Sequence, residues 1–153
     1  MSFFLVKNGP FLQANACELV RYMNSLMKRI LVIDDNAGLR QMLRQMLERE
    51  GYEVTEAGDG KEGIELYRQA PADLIVTDVV MPEKDGVEVV RELKCEFPDV
   101  RIIAISGDSR ALGAQYCLAA MKALGAQCVL TKPFGKKELL DAVHELLGCG
   151  AAC

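Results

Sequence analysis

The chain has no basic excess. Lysine and arginine together number 18 against 22 aspartates and glutamates, a formal net charge of -4. An extended nucleic-acid surface ordinarily shows a basic excess or patch, so direct DNA binding is not expected. No apolar run approaches the length of a membrane helix, so no membrane span is expected either. Phe3-Phe4-Leu5-Val6 is too short for a signal-peptide core, and Asn8-Gly9-Pro10 breaks it. Histidine occurs once, at His144, which lies off the apolar stripe of its helix and reads as a surface residue. None of the six cysteines (Cys17, Cys95, Cys117, Cys128, Cys149, Cys153) lies in a Cys-x-x-Cys pair, which argues against structural zinc. Several sit inside apolar patterns, where a free thiol packs as a small hydrophobe. A reducing, cytoplasmic compartment fits that usage.

What is present is an alternation. The 153 residues suit one domain of ordinary size. Five short strands are expected: Arg29 to Ile33, Tyr52 to Ala57, Leu74 to Thr77, Arg101 to Ile105 and Gln127 to Leu130. The first and third are continuous apolar runs, the mark of strands covered on both faces. A helical pattern follows each strand. Leu39, Met42, Leu43, Met46 and Leu47 form the first stripe, stopped by Gly51. Ile64 and Tyr67 mark the second, and Val87, Val90, Leu93 and Phe97 the third, which stops at Pro98. Ala111 to Leu124 is the fourth, with Gly125 as its terminator, and Leu139, Leu140, Val143, Leu146 and Leu147 line the last. Right-handed crossovers then give an α/β fold, a parallel sheet with helices on both faces. The expected division is an N-terminal extension over 1–26, helical or disordered, a domain over 27–148 and a short tail over 149–153. In the extension, Leu12, Ala16, Leu19, Val20, Met23 and Met27 fall at helical spacing, suited to covering a face or to self-association.

The carboxyl ends of four strands carry chemistry: Asp34-Asp35, Asp78, Ser106 and Lys132. Ligands of open α/β sheets sit just beyond such ends. Two adjacent carboxylates repel each other unless something positive sits between them, and a divalent cation is one answer. A helix N-cap by Asp35 or Asn36 is the other reading, and the two apply to different residues without conflict. Asp78 taken alone is equally a polar strand terminator. Convergence of four strand ends outweighs any one of them.

These pieces resemble the receiver domain of two-component response regulators. The matching segments are Ile33-Asp34-Asp35-Asn36, Asp78 through Met81-Pro82 to Asp85-Gly86, Ser106-Gly107 and Thr131-Lys132-Pro133-Phe134, in order across residues 28–148. The resemblance implies a flavodoxin-like, doubly wound five-stranded sheet of order 2-1-3-4-5. It implies that Asp78 accepts a phosphoryl group from a histidine kinase or phosphotransfer protein. Asp34, Asp35, Asp78 and the carbonyl of Val80 would hold Mg2+. Ser106 and Lys132 would contact the phosphoryl group, and the Lys132-Pro133 peptide would be cis. It also implies a signalling protein with slow autodephosphorylation rather than a metabolic enzyme. The segment beyond the last helix is short, so a stand-alone receiver is expected. Its output would be contact with a downstream protein target or a second copy, through the face of the fourth helix, fifth strand and fifth helix of the domain.

Two departures stand out. Many receivers carry an aromatic residue three positions before the lysine, where this chain has Val129, so a smaller switching movement is expected. The stretch from Asp108 to Gln115 reads as added length beside the signalling face. Three other functions are weaker. A Mg2+-dependent phosphohydrolase with an aspartyl intermediate would want an Asp where Val80 stands. An FMN carrier would want a phosphate loop where Asp34-Asp35 repel one. A binding module that is never phosphorylated would not need the full acidic set with Ser106 and Lys132.

Overall fold

The computed structural model describes residues 16–82, 84–107 and 112–148. Eleven elements run through them. They are α1 (Ala16–Leu26), β1 (Arg29–Ile33), α2 (Ala37–Arg49), β2 (Glu53–Ala57), α3 (Gly60–Gln69), β3 (Leu74–Asp78), α4 (Gly86–Glu96), β4 (Ile102–Ser106), α5 (Leu112–Ala123), β5 (Cys128–Thr131) and α6 (Lys136–Leu147). The sheet order is β2-β1-β3-β4-β5, with every neighbouring pair parallel. This is the doubly wound, flavodoxin-like order.

Side chains alternate across each strand, so one apolar run feeds two cores. Leu31, Ile33, Ile75, Ile102 and Ala104 point toward α3, α4 and α5, where they meet Ile64, Tyr67, Val89, Val90, Leu93 and Met121. Ile30, Val32, Leu74, Val76, Ile103 and Ile105 point the other way, onto Leu43 and Leu47 of α2 and Leu139 and Val143 of α6. Each such side chain contributes roughly 1.5–3 kcal/mol of gross hydrophobic stabilisation. Both cores brace the three central strands, whose carboxyl ends carry Asp34, Asp78 and Ser106.

Local signals set the element ends. Asn36, Asp59 and Asp85 cap α2, α3 and α4, each accepting a backbone N–H three residues on. Gly51 and Gly125 end α2 and α5 with φ of 89° and 105°, a region costly for residues with a Cβ. Tyr67 meets Phe97 edge-on at 5.1 Å and ties α3 to the end of α4.

The N-terminal helix α1 carries exposed apolar side chains. Leu19, Val20, Met23, Leu26 and Met27 are all exposed along it. The expected helix is therefore present from Ala16, while its earlier positions lie outside the described residues. So do Asp108 to Ala111 of the added segment, Cys149 and Cys153. His144 differs from its reading as a surface residue. It is half-buried, with its ring 6.4 Å from that of Tyr52. Tyr52 enters β2 from the end of α2, a long-range contact that helical periodicity does not reveal. Among the described residues, no helix is long and apolar enough to cross a membrane.

Candidate phosphoacceptor and cation site

The polar groups at the strand ends converge. Asp34 follows β1, Asp78 ends β3, Ser106 ends β4, and Lys132 follows β5. Three of these, Asp34, Asp78 and Ser106, are buried despite their polarity. Asp35 is exposed, on the outer side of the same turn. One carboxylate oxygen from each of Asp34, Asp35 and Asp78 lies within 4.8 Å of the others. Lys132 reaches into this group from the far side. Its Nζ is 3.3 Å from Asp78 Oδ2 and 3.9 Å from Asp34 Oδ2.

Backbone contacts fix the approach of each group. The Lys132 N–H donates to the Ser106 carbonyl at 2.8 Å, so the ends of β4 and β5 are joined directly. The Lys132-Pro133 peptide is cis, as the resemblance implied. The Val79 N–H donates to the Ile105 carbonyl at 2.8 Å, and the Val80 N–H reaches Asp78 Oδ1 at 3.3 Å. Val80 itself is exposed. Ser106 Oγ donates to the Gly107 carbonyl at 3.3 Å. The Thr77 hydroxyl is fully buried and donates to the Asp78 carbonyl at 3.1 Å. Below this, Val129 is half-buried, paired with Ala104 across the β4–β5 ladder and packed on the α3–α4–α5 core.

Asp34 is the costly group. Its Oδ1 accepts the Asn36 N–H at 2.8 Å, but its Oδ2 is buried with no hydrogen-bond partner. Burial pushes its carboxyl above the ordinary range. The Asn36 N–H and Lys132 oppose that push, while Asp78 and Asp35 add to it. A carboxyl raised in this way holds its proton more tightly in the folded chain than in the unfolded chain. The cost of its charge is absent at a pH below the unfolded value of about 4 and is present in full above the folded value. Stability from this group is therefore lost as pH rises between those two values. Glu92 and Glu96 act in the opposite sense. They are held low chiefly by Lys84 and by Arg68 respectively, so the whole-protein pH profile is mixed. The difference between wild type and Asp34→Asn isolates Asp34. Without divalent cation, Asp34→Asn is expected to unfold at higher urea than wild type near neutral pH. That advantage should vanish below about pH 4. A lower midpoint at neutral pH would mean that Asp34 is not an uncompensated charge.

The donor set fits a divalent cation. All three side chains offer oxygen, the ligand type that hard cations take. Asp34 Oδ2 has no hydrogen-bond partner, and a cation held by the cluster would offset its burial and the mutual repulsion.

Of the expected residues, Asp34, Asp35, Asp78 and Lys132 lie together, and Ser106 is joined to Lys132 through the backbone. Sequence reasoning missed Arg40, whose Nη1 donates to the Asp34 carbonyl at 2.7 Å. It also did not assign Asp85 a helix-capping role. Asp85 is the N-cap of α4, and Gly86 is pressed against the backbone of Asp78. An Asp followed by Gly at a helix start is the signal that was available.

Comparison with known proteins agrees with this arrangement. Residues 30–144 match the family model described as the response regulator receiver domain. The chain is 32% identical over 120 residues to the chemotaxis protein CheY of Thermotoga maritima, covering 78% of this chain and 97% of that protein. It is 35% identical over 120 residues to the chemotaxis protein CheY of Bacillus subtilis, with the same coverages. Among solved structures, a response regulator receiver domain protein from Clostridium thermocellum is similar, with a TM-score of 0.73 and 30% identity. That likeness covers 80% of this chain and 96% of the other. The fold, the family match and these relatives together establish that the chain belongs to the response regulator receiver domain family.

Proposed function

We propose that this chain takes a phosphoryl group onto Asp78 from a histidine kinase or phosphotransfer protein, with Mg2+ present. The change would switch a protein-contact surface. The observation that carries the reading is Lys132 Nζ lying against Asp78 and Asp34 in a cluster of three carboxylates at the strand ends. Relatives named chemotaxis protein CheY and sporulation initiation phosphotransferase F support a signalling role.

In this reading Asp34, Asp35, Asp78 and the Val80 carbonyl hold Mg2+, which supplies charge neutralisation when bound. Asp78 is the nucleophile. One of its carboxylate oxygens bonds to phosphorus as the bond from phosphorus to the donor's imidazole nitrogen breaks. Phosphoryl transfer demands positioning and charge stabilisation more than covalent chemistry from the protein. Lys132 keeps a positive charge beside the transferred group. The Ser106 hydroxyl leaves the Gly107 carbonyl and turns to a phosphoryl oxygen. Its backbone link to Lys132 then carries the change to β5 and the face of α5 and α6. Val129 lacks the reach of an aromatic ring, so the movement there is small. The working unit in this reading is residues 27–148. Its targets are a downstream protein or a second copy rather than DNA.

The test is incubation with a small-molecule phosphodonor, with Mg2+ or with chelator, followed by intact-mass measurement. One added phosphoryl group is expected with Mg2+, and a large loss of labelling without it. Backbone amide shifts on phosphorylation should extend into β5 and the α5–α6 face. A chain that stays unlabelled at saturating donor and Mg2+ would favour the binding module that is never phosphorylated.

A further inference from the structure

We propose that Arg40 is a positioning residue for the cation site, acting through the backbone of Asp34. The proposal rests on the divalent-cation reading above and adds a residue to it.

Asp34 lies just past the last paired residue of β1, where a strand's backbone groups lose their ladder partners. Its N–H still donates to the Ala57 carbonyl, at 3.2 Å. Its carbonyl is met from the other side by Arg40 Nη1 at 2.7 Å, a short, charge-assisted bond. Its Oδ1 takes the Asn36 N–H at 2.8 Å. Three of its four polar atoms are thereby held, one from the end of β2 and two from the start of α2. Only Oδ2 is left without a hydrogen bond, buried and 3.9 Å from Lys132 Nζ, in a residue whose carboxylate belongs to the acid cluster. A ligand held in this way offers one defined oxygen and little freedom to turn it away.

Arg40 is itself placed by an ion pair, although its Nε is buried without a hydrogen-bond partner. It is the fourth residue of α2, and its side chain is 20% exposed. Its Nε lies 3.6 Å from Glu56 Oε1 on β2. Glu56 is fixed in turn by Arg44, whose Nη1 meets Oε2 at 2.9 Å. The guanidinium therefore bridges the edge strand, the first turns of α2 and the end of β1. Groups that orient metal ligands in this way set affinity although they touch no metal.

Charge alone predicts the opposite effect. Arg40 is a cation beside three carboxylates, and removing it should strengthen cation binding by Coulomb's law. A purely structural role predicts lost stability with unchanged affinity. Only positioning predicts weaker binding, so the sign of the change decides.

The experiment titrates MgCl2 into isotope-labelled wild type and Arg40→Met while following the Asn36 amide resonance, which reports the Asp34 carboxylate directly. Urea midpoints are measured on both proteins without cation. Arg40→Met is expected to bind Mg2+ about tenfold more weakly, with its cation-free Asn36 resonance displaced. Equal or tighter binding overturns the proposal, whatever the loss in stability. If Arg40→Met does not fold, Arg40→Lys carries the test. It keeps the charge but replaces the rigid planar fork with a compact ammonium, and about threefold weaker binding is expected; unchanged or tighter binding overturns the proposal there too. A wild type that binds no Mg2+ at millimolar concentration would sink the cation reading together with this one. Wild-type binding matched by Arg40→Met would sink this one alone.

Discussion

Asp78→Asn is expected to abolish phosphoryl labelling. The side chain keeps its shape, and its Oδ1 can still accept the Val80 N–H, a contact of 3.3 Å in the wild type. What it loses is nucleophilicity, since an amide oxygen does not displace a leaving group from phosphorus as a carboxylate does. It also loses the charge that Lys132 now meets at 3.3 Å, which leaves that ammonium Asp34, 3.9 Å away, among the described residues. The fold should survive. Removing one of three clustered carboxylates lowers their mutual repulsion, so the urea midpoint without cation should hold or rise. Intact mass after treatment with phosphodonor and Mg2+ reads the result. Asp35 is the acid of the cluster that is exposed to solvent. Labelling of Asp78→Asn at the wild-type level, with the modified peptide containing Asp35, would move the acceptor there.

How legible was this site? Asp34, Asp78, Ser106 and Lys132 could be read because each is a polar group at the end of an apolar run, where burial makes polarity expensive. The sequence did not separate Asp34 from Asp35. That distinction is one of burial, which depends on which way the chain turns after β1. Arg40 could not be read at all. In a helix whose stripe is Leu39, Leu43 and Leu47, an arginine at 40 looks like a solvated face. Only the return of α2 over the end of β1 turns that face toward a backbone carbonyl.

The same division holds for the fold. Ile30 to Ile33 and Leu74 to Val76 were plain because both of their faces are buried. Strand ends were less plain. β3 includes Asp78 and β4 includes Ser106 because these residues pair in the ladder, Asp78 with Ile105 and Ser106 with Thr131. Pairing is a property of the neighbour, which composition does not carry. β2 has Val54 as its one strong apolar position, since on this edge strand Glu53 and Thr55 are exposed and Glu56 is only partly covered. His144 was placed on the surface for the same reason in reverse. Its own helix gave no sign of Tyr52, which arrives from ninety-two residues earlier in the chain.

Gly86→Ala is expected to cost about 3 kcal/mol or more, through overpacking against backbone rather than through lost flexibility. A Cβ on Gly86 would lie within 3.0 Å of the Asp78 carbonyl oxygen and 2.8 Å from Val79 Cα. Neither atom belongs to a side chain that can swing aside. The Gly86 N–H donates to the Val79 carbonyl at 2.9 Å, which holds the start of α4 onto this turn. Behind it, Val89, Val90 and Leu93 are fully buried, so the helix cannot back away without opening the core. Relief must therefore come from the Asp78–Val79 backbone itself. That shift displaces the Asp78 carboxylate relative to Lys132 and Asp34, so labelling should fall along with stability. Urea denaturation read by far-ultraviolet circular dichroism gives the first quantity, and intact mass under native conditions gives the second. Gly58→Ala is the matched control. A Cβ there would meet only the ends of Glu62 and Arg40, at 3.6 and 3.8 Å. A Gly86→Ala protein as stable as the Gly58→Ala control would show that the approach of α4 to Asp78 is looser than this packing requires.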